Sequence, residues 1–209
     1  MKAGDKMAKL YFKYGAMGSS KSAQALMTKF NYEEKGRSVW LIKPYADNRD
    51  GNKGVVRSRI GIEAKADVIS RTDDLYDSFI TGAHRNTDVI IADECQFFSP
   101  EQIDELRRIV DEHDIPVLCF GLRTDFQTKL FPGSRRLFEI ADSITEIKTI
   151  CKCGKKATVN ARLDETGKII TKGDQVYIGG NESYEAMCHQ CWKLKIKEQQ
   201  EEAGAKNKK

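Results

Sequence analysis

The sequence predicts an α/β fold, in which a mostly parallel β-sheet is flanked by helices and is followed by a small β domain. Continuous apolar runs, typical of buried strands, alternate with helical patterns through residues 1–149. From Cys151 onward the sequence changes to cysteine, glycine, lysine and short strand-like runs. We therefore predict one domain over residues 1–149, a second over 150–194, and a charged, disordered tail over 195–209.

The elements of the first half follow from apolar runs and their boundaries. Lys9–Tyr14 is a strand, and small residues separate it from a helix over Ser22–Glu34. Ser38–Lys43 is a strand that stops at a proline, and Asp67–Ile69 is a weaker one. The spacing of apolar residues predicts a helix over Asp73–Ile80.

The second half contains the clearest signals. Asp88–Asp93 and Ile115–Phe120 are buried strands. The helix between them, Ser99–His113, begins with a serine cap and a proline at its first position. Leu137–Ala141 and Ser143–Thr149 are predicted as a short helix and a strand.

Composition limits the classes of function. Of the 209 residues, 40% are hydrophobic and 32% charged, and the formal net charge of +4 forms no basic stripe. These values fit a globular protein and do not favour nucleic acid as a partner. No apolar run approaches the roughly 20 residues that cross a bilayer, and no signal-peptide core is present, so we expect no membrane partner and a cytoplasmic location.

The six cysteines divide into two groups. Cys95 and Cys119 lie beside or within apolar runs and are expected in the core. The other four form a C-x-C pair and a C-x-x-C pair, which suits a tetrahedral structural zinc ion better than disulfides. These candidate ligands are Cys151, Cys153, Cys188 and Cys191. The first pair is short for a zinc knuckle, and thiols without a metal are the alternative.

A phosphate-binding loop is predicted between the first strand and the first helix. Small residues let backbone N–H groups surround phosphate oxygens, and the helix N-terminus adds positive charge. Lys21 would neutralise phosphate, and the Ser22 hydroxyl would bind Mg²⁺. The candidate residues are Gly15, Ala16, Met17, Gly18, Ser19, Ser20, Lys21 and Ser22.

Ser20 departs from the usual pattern G-x-x-x-x-G-K-[ST], which has glycine at its place. A positive φ at Ser20 would cost about 1 kcal/mol relative to glycine. A glycine- and serine-rich turn with a surface lysine is the alternative interpretation.

Asp93 and Glu94 stand at the end of an apolar run. In a fold like that of the P-loop NTPases, an acid at this place belongs to the Mg²⁺ site, and a neighbouring carboxylate can accept a proton from an attacking hydroxyl. The alternative is an acidic beginning to the helix that follows.

These motifs, in this order, resemble those of the thymidine kinases of the tetrameric, zinc-containing type found in many bacteria and in animal cytosol. The resemblance extends from about Ala8 to Trp192, and the order and spacing of its motifs make it specific. Its further carriers are Lys43-Pro44 with Asp47 and Arg49, Ser58–Gly61, Asp93–Phe98, Gly121–Phe126, Ile178–Gly180 and Tyr184.

The resemblance implies a role for each matching residue. The ATP site would comprise the phosphate loop with Arg49, Asp93, Glu94, Cys95 and Gln96, and Asp47 and Asp93 would join Ser22 at Mg²⁺. Glu94 would be the general base. The thymidine site would comprise Met17, Phe97, Leu122, Phe126, Asn160, Val176, Tyr177, Ile178, Gly179 and Tyr184. The stretch 121–136 would be a lasso loop that closes over the nucleoside.

The implied reaction is phosphate transfer from ATP·Mg²⁺ to the 5′-hydroxyl of thymidine, giving dTMP and ADP. The resemblance also implies a structural zinc ion, a homotetramer and dTTP as a feedback inhibitor. Two alternatives stay open at the level of sequence. One is a zinc-ribbon P-loop ATPase stimulated by nucleic acid, and the other is a nucleotide sensor inactivated by Ser20.

Overall fold

The computed structural model describes residues 7–47, 54–175 and 183–206, and all of the following elements belong to those ranges. In chain order they are β1 (Leu10–Tyr14), α1 (Lys21–Glu34), β2 (Val39–Pro44), β3 (Val55–Arg57), β4 (Glu63–Lys65), β5 (Asp67–Ile69), α2 (Leu75–Thr81), β6 (Val89–Ala92), a 3₁₀ turn (Cys95–Phe97), α3 (Pro100–His113), β7 (Val117–Gly121), α4 (Pro132–Ile140), β8 (Ser143–Glu146), β9 (Val159–Leu163), β10 (Ile169–Ile170), β11 (Tyr184–Met187) and α5 (His189–Lys206).

The main sheet has six parallel strands in the order β5-β2-β6-β7-β1-β8. Successive residues of a strand face opposite sides, so each strand contributes to two cores. Ile90 packs with α2, α3 and α4 on one face, while Ile91 packs with α1 on the other. The predicted α/β class, with helices on both faces of a parallel sheet, is confirmed.

The helix boundaries follow from local capping. Ser99 and Gln102 form a capping box at the beginning of α3, as the serine–proline signal predicts. The helix α2 begins later than predicted because the Asp74 side chain accepts from the Asp77 N–H and acts as the cap.

The helix α4 begins at Pro132, five residues before the predicted Leu137. Proline favours the first turn of a helix, where its missing N–H costs nothing. The irregular connection is therefore shorter than the predicted stretch 121–136, since Gly121 still belongs to β7 and residues 132–136 are helical.

A second unit contains the antiparallel sheet β10-β9-β11, followed by α5. In this unit the structure differs from the predicted disordered tail, because α5 continues to Lys206. Trp192 and Ile196 pack on the small core of this unit, and the Gln199 amide oxygen accepts from the Ile169 N–H at 3.0 Å. The residues that follow are mostly good helix formers. Among the described helices, none combines the length and the apolar character needed to cross a bilayer.

Candidate active site

The predicted phosphate loop connects the end of β1 to the beginning of α1. The Gly15 N–H donates to the Gly121 carbonyl at 3.2 Å, and the Ser19 N–H donates to the Ala16 carbonyl at 3.2 Å. A Cβ atom at Gly15 would lie 2.3 Å from the carbonyl oxygen of Ile147, so only glycine fits there. These contacts set a tight turn at the carboxyl edge of the sheet.

Ser20 has φ 63° and ψ 28°, in the left-handed region, at the cap of α1. The positive φ anticipated for this position is therefore present, with a cost of about 1 kcal/mol relative to glycine. Lys21 begins the helix, and its ammonium group donates to the Ala16 carbonyl at 3.0 Å. The lysine thus reaches back over the loop.

Asp47 lies just beyond β2 and is held by a buried ion pair. Its carboxylate is 3.0 Å from the ammonium group of Lys43, whose side chain is fully buried. Lys43 also donates to the Val55 carbonyl at 3.3 Å. Because a buried ammonium group requires a counter-charge, this pair fixes the Asp47 carboxylate at the wall of the cavity.

Asp93 and Glu94 follow β6 directly, and their exposed fractions are 3% and 8%. Glu94 has φ 49° and ψ 36°, a left-handed conformation that costs about 1–2 kcal/mol in a non-glycine residue. Its side chain lines the same cavity as Asp47 and the phosphate loop. The amide of Gln96 donates to Glu94 Oε2 at 2.6 Å. A strained backbone and a buried donor therefore set the carboxylate in place.

Apolar side chains form another part of the cavity wall. Phe97 meets Phe131 edge to face, with ring centroids 5.6 Å apart. Leu122 follows β7, and Phe126 is buried beneath the cavity. Flat aromatic surfaces next to an aliphatic side chain suit a planar heterocyclic base.

The connection that carries Leu122 and Phe126 is closely hydrogen-bonded. The Asp125 carboxylate accepts from the backbone N–H groups of Gln127 and Lys129, at 2.8 and 2.9 Å. The same carboxylate accepts from the Gln175 amide at 2.9 Å. This segment has a defined conformation within the described structure.

Arg162 supports this wall from the second unit. Its guanidinium carbon lies 3.8 Å from the Phe126 ring centroid, a cation–π contact. Its Nε–H donates to the Tyr184 hydroxyl at 2.9 Å, and a terminal N–H donates to the Asp174 carbonyl at 3.0 Å. One buried side chain thereby orients the two aromatic residues Phe126 and Tyr184.

Asn160 connects the second unit to the phosphate loop. Its side-chain oxygen accepts from the Met17 N–H at 2.8 Å, and its amide donates to the Thr124 carbonyl at 2.9 Å. The side chain is 3% exposed. Both ends of the Asn160 amide therefore bind backbone groups on opposite parts of the site.

These parts line one cavity with a volume of about 290 Å³. The predicted residues that the structure brings to it are Met17, Gly18, Ser20, Lys21, Ser22, Asp47, Glu94, Gln96, Phe97, Leu122, Phe126, Asn160 and Tyr184. A phosphate loop, carboxylates and an apolar wall in one cavity can hold a phosphate donor and a planar acceptor together.

The second unit also contains the predicted metal ligands. The sulfur atoms of Cys151, Cys153, Cys188 and Cys191 all lie within 4.8 Å of one another. Those of Cys153 and Cys188 are 3.6 Å apart, close to the ~3.8 Å edge of a tetrahedron with Zn–S bonds of about 2.3 Å. The short C-x-C pair therefore supplies two sulfur atoms, as the C-x-x-C pair does.

The environment of these thiols suits a cation. Backbone N–H groups of Cys153 and Cys188 lower the pKa of Cys151 to about 7. The hydrogen bond of Cys191 to the Cys188 sulfur, with the other sulfur atoms nearby, raises the pKa of Cys191 to about 12. Four thiolates at these distances would repel one another, and a divalent cation would remove that repulsion, so the cluster fits a metal ion.

A family model described as thymidine kinase matches residues 8–192. The thymidine kinase of Shewanella oneidensis is 51% identical over 184 residues, which cover 87% of this chain and 95% of that protein. The thymidine kinase of Ruegeria pomeroyi is 47% identical over 191 residues, covering 90% and 94%. The chain belongs to the thymidine kinase family.

One solved structure with a partial likeness is the replication initiator DnaA bound to AMPPCP and single-stranded DNA. The TM-score is 0.41 at 17% identity, covering 69% of this chain and 42% of that one.

The structure places the side chain of Cys95, which the thymidine kinase resemblance assigns to the ATP site, outside the cavity. The side chain of Cys95 is fully buried in the core with Cys119, where burial raises its pKa well above the usual value. The Cys95 side chain therefore does not contribute to the cavity. Arg49 and Val176, Tyr177, Ile178 and Gly179 lie outside the described residues.

Sequence reasoning missed Arg162 and the buried role of Lys43. An arginine in a small domain is usually a solvated surface residue. The signal lay in strand alternation, because Arg162 is two residues from Asn160 on β9 and therefore shares its face.

Proposed function

We propose that this member of the thymidine kinase family transfers the γ-phosphoryl group of ATP·Mg²⁺ to the 5′-hydroxyl of thymidine, giving dTMP and ADP. The observation that carries the proposal is the single cavity lined by the phosphate loop, Glu94 and an aromatic wall. Such a cavity supports a nucleoside kinase better than the alternative of an ATPase stimulated by nucleic acid, which requires an open basic track.

The phosphate end of the cavity holds the donor. Backbone N–H groups of the loop and the ammonium group of Lys21 bind the phosphates and offset their charge. Ser22, Asp47 and Asp93 are the groups that would hold Mg²⁺, and hydroxyl and carboxylate oxygens are the ligands that this ion prefers. When bound, Mg²⁺ neutralises charge on the phosphates. Arg49 is proposed as a further phosphate ligand from the resemblance alone.

Glu94 is proposed as the general base. The proton of the thymidine 5′-hydroxyl passes to the Glu94 carboxylate while the 5′-oxygen forms a bond to the γ-phosphorus. The bond from that phosphorus to the β,γ-bridging oxygen breaks, and ADP leaves. Catalysis in this scheme is mainly positioning and charge neutralisation, which a fixed and largely buried carboxylate favours.

The thymine ring is proposed to lie against Phe97, Leu122 and Phe126. Tyr184, oriented by Arg162, would pack near the sugar. Both ends of the Asn160 side chain bind protein backbone, so we assign Asn160 to shaping this pocket. The hydrogen bond from the Met17 N–H to the Asn160 side chain holds Met17 at the boundary between the ATP and thymidine subsites. Backbone groups of residues 176–179 are proposed, from the resemblance, to hydrogen-bond the base.

The cysteine cluster is proposed to hold a structural zinc ion, since four sulfur donors in this space suit Zn²⁺. The ligands would be Cys151, Cys153, Cys188 and Cys191. We place the reaction in the cytoplasm, where ATP is available and thiols stay reduced.

Feedback inhibition by dTTP is proposed because the nucleoside wall and the phosphate loop line one cavity. A nucleotide with its base in the pocket can extend its phosphates towards the loop. A homotetramer is proposed from the resemblance, and the exposed apolar side chains Met27 and Phe30 on α1 support association between copies.

The test is an assay with radiolabelled thymidine, ATP and Mg²⁺, run beside deoxycytidine and a control without nucleoside. We expect labelled dTMP to form in an ATP- and Mg²⁺-dependent way, with far less product from deoxycytidine. ATP hydrolysis that is stimulated by DNA, without any dTMP, would overturn the proposal in favour of the ATPase alternative.

A further inference from the structure

The Gln96 side chain is enclosed next to the proposed base. It is 1% exposed and belongs to the 3₁₀ turn that begins immediately after Glu94. Its amide oxygen accepts from the Leu122 N–H at 2.9 Å, and its amide nitrogen donates to Glu94 Oε2 at 2.6 Å. Gln96 therefore bridges the carboxylate and the backbone of the nucleoside wall.

The direction of the Gln96 amide follows from its partners. A backbone N–H can only donate, so the atom that faces Leu122 must be the side-chain oxygen. The NH₂ group must then face Glu94. This hydrogen bond holds one carboxylate oxygen, Oε2, in a fixed place, so it sets the orientation of the Glu94 carboxylate.

The close packing of Gly121 keeps Gln96 in this position. A Cβ atom at Gly121 would lie 2.6 Å from the Gln96 side-chain oxygen and 2.6 Å from the Cys95 sulfur. Only glycine allows β7 to approach the 3₁₀ turn so closely. The backbone of Leu122 is held at its carbonyl group as well, because the Ser134 hydroxyl donates to that carbonyl at 2.5 Å.

We propose that Gln96 is a positioning residue for phosphoryl transfer, orienting the Glu94 carboxylate by tying it to the Leu122 peptide. The inference rests on the proposed function, since it assigns a support to the base of that reaction. While Gln96 holds Oε2, the proton of the 5′-hydroxyl passes to the carboxylate and the 5′-oxygen attacks the γ-phosphorus. Gln96 gains and loses no proton in this step.

The experiment compares two variants at this position with one matched control. Gln96→Met keeps the length of the side chain and removes both hydrogen bonds. Gln96→Glu keeps an acceptor for Leu122 and replaces the donor with a second carboxyl group beside Glu94. The control is Gln102→Met: Gln102 is 3% exposed and donates to the carbonyls of Ser70 and Asp73, away from the cavity.

We expect kcat for dTMP formation to fall between about 10- and 100-fold in both Gln96 variants, while the KM values for thymidine and ATP change less than about threefold. In the Glu94→Gln background, Gln96→Met should lower kcat less than about threefold further, because the carboxylate that Gln96 orients is already gone. Gln102→Met should lose thermal stability and keep the kcat of the wild type.

A loss of kcat from Gln96→Met that is as large in the Glu94→Gln background as in the wild type would overturn the inference. If Gln96→Met does not fold, Gln96→Glu decides, because it preserves the volume and the contact to Leu122. A wild-type protein that makes no dTMP would overturn the proposed function itself. A wild-type protein that makes dTMP, with Gln96 variants that share its kcat, would overturn only the role of Gln96.

Discussion

The side-chain oxygen of Asn160 accepts a hydrogen bond from the backbone N–H of Met17 at 2.8 Å. Met17 lies in the phosphate loop, whereas Asn160 lies on β9 of the second unit. The Asn160 side chain of the second unit therefore fixes the conformation of the loop that would bind ATP. Since Asn160 also binds the Thr124 carbonyl, the two subsites share one support.

Replacement of Asn160 should consequently affect both substrates. We expect Asn160→Ala to raise the KM values for ATP and for thymidine about 10-fold each, because loop and wall lose a common hydrogen-bond partner. Asn86→Ala, on the exposed surface, is the control and should leave both values unchanged. A change in only one of the two KM values would show that Asn160 does not couple the subsites.

Ser20 offers a test of backbone strain in the phosphate loop. Its φ of 63° is in the region that glycine occupies without cost. We expect Ser20→Gly to increase the free energy of unfolding by about 1 kcal/mol and to keep or improve turnover. Ser20→Ala, which keeps the strain and removes the hydroxyl, should show no such gain. Equal stability of the glycine and alanine variants in urea unfolding would refute this explanation.

The cysteine cluster predicts about one zinc ion per chain in freshly purified protein. Cys188→Ser should lower the metal content and the melting temperature, because β9, β11 and α5 meet at this cluster. The neighbouring His189→Ala should keep the metal content and the melting temperature of the wild type. His189 is exposed, and its ring makes only a tilted contact with the Trp192 ring. Metal analysis that finds far less than one zinc ion per wild-type chain would contradict the assignment.

Asp142 predicts a pH-dependent contribution to stability. Burial opposes ionisation, but the Leu10 N–H at 2.8 Å and the Arg107 guanidinium outweigh it and lower the pKa of Asp142 below 3.8. A pKa that is lower in the folded state than in the unfolded state stabilises the protein at pH values above the unfolded-state pKa. This stabilisation is lost as the pH falls through the folded-state pKa. Asp142→Asn should cost about 1 kcal/mol at pH 7.

Urea unfolding at several pH values would check this contribution. The difference between wild type and Asp142→Asn should stay constant from pH 7 to about 5 and shrink below about pH 4. Asp111→Asn is the matched control, because Asp111 also pairs with Arg107 but is more exposed. Asp111→Asn should leave the free energy of unfolding nearly unchanged. A difference for Asp142→Asn that does not vary with pH would contradict the account.

Sequence reasoning succeeded where local chemistry decides the structure. Ser99 followed by proline predicted the beginning of α3, and the apolar runs predicted β6 and β7 to within two residues at either end. The strained φ of Ser20 followed from the position of one missing glycine. The spacing of the four cysteines predicted that their sulfur atoms lie together.

The remaining features depend on contacts between distant segments, which a local pattern does not contain. The helix α5 continues to Lys206 because Ile196 and Gln199 meet the second unit, although the tail is strongly charged. The bridge from Gln96 to Leu122 joins residues 26 positions apart and appears only when β7 lies beside the 3₁₀ turn. Arg162 acquires its role from the rings of Phe126 and Tyr184 around it.

The most direct test of the central claim concerns the Glu94 carboxylate. Glu94→Gln keeps the shape of the side chain and removes its ability to accept the proton of the 5′-hydroxyl, and Glu101→Gln at the exposed beginning of α3 is the control. The measurement is kcat for dTMP formation beside the dissociation constants for ATP and thymidine. We expect a fall in kcat of at least about 10²-fold with nearly unchanged dissociation constants. Near-normal turnover in Glu94→Gln would contradict it.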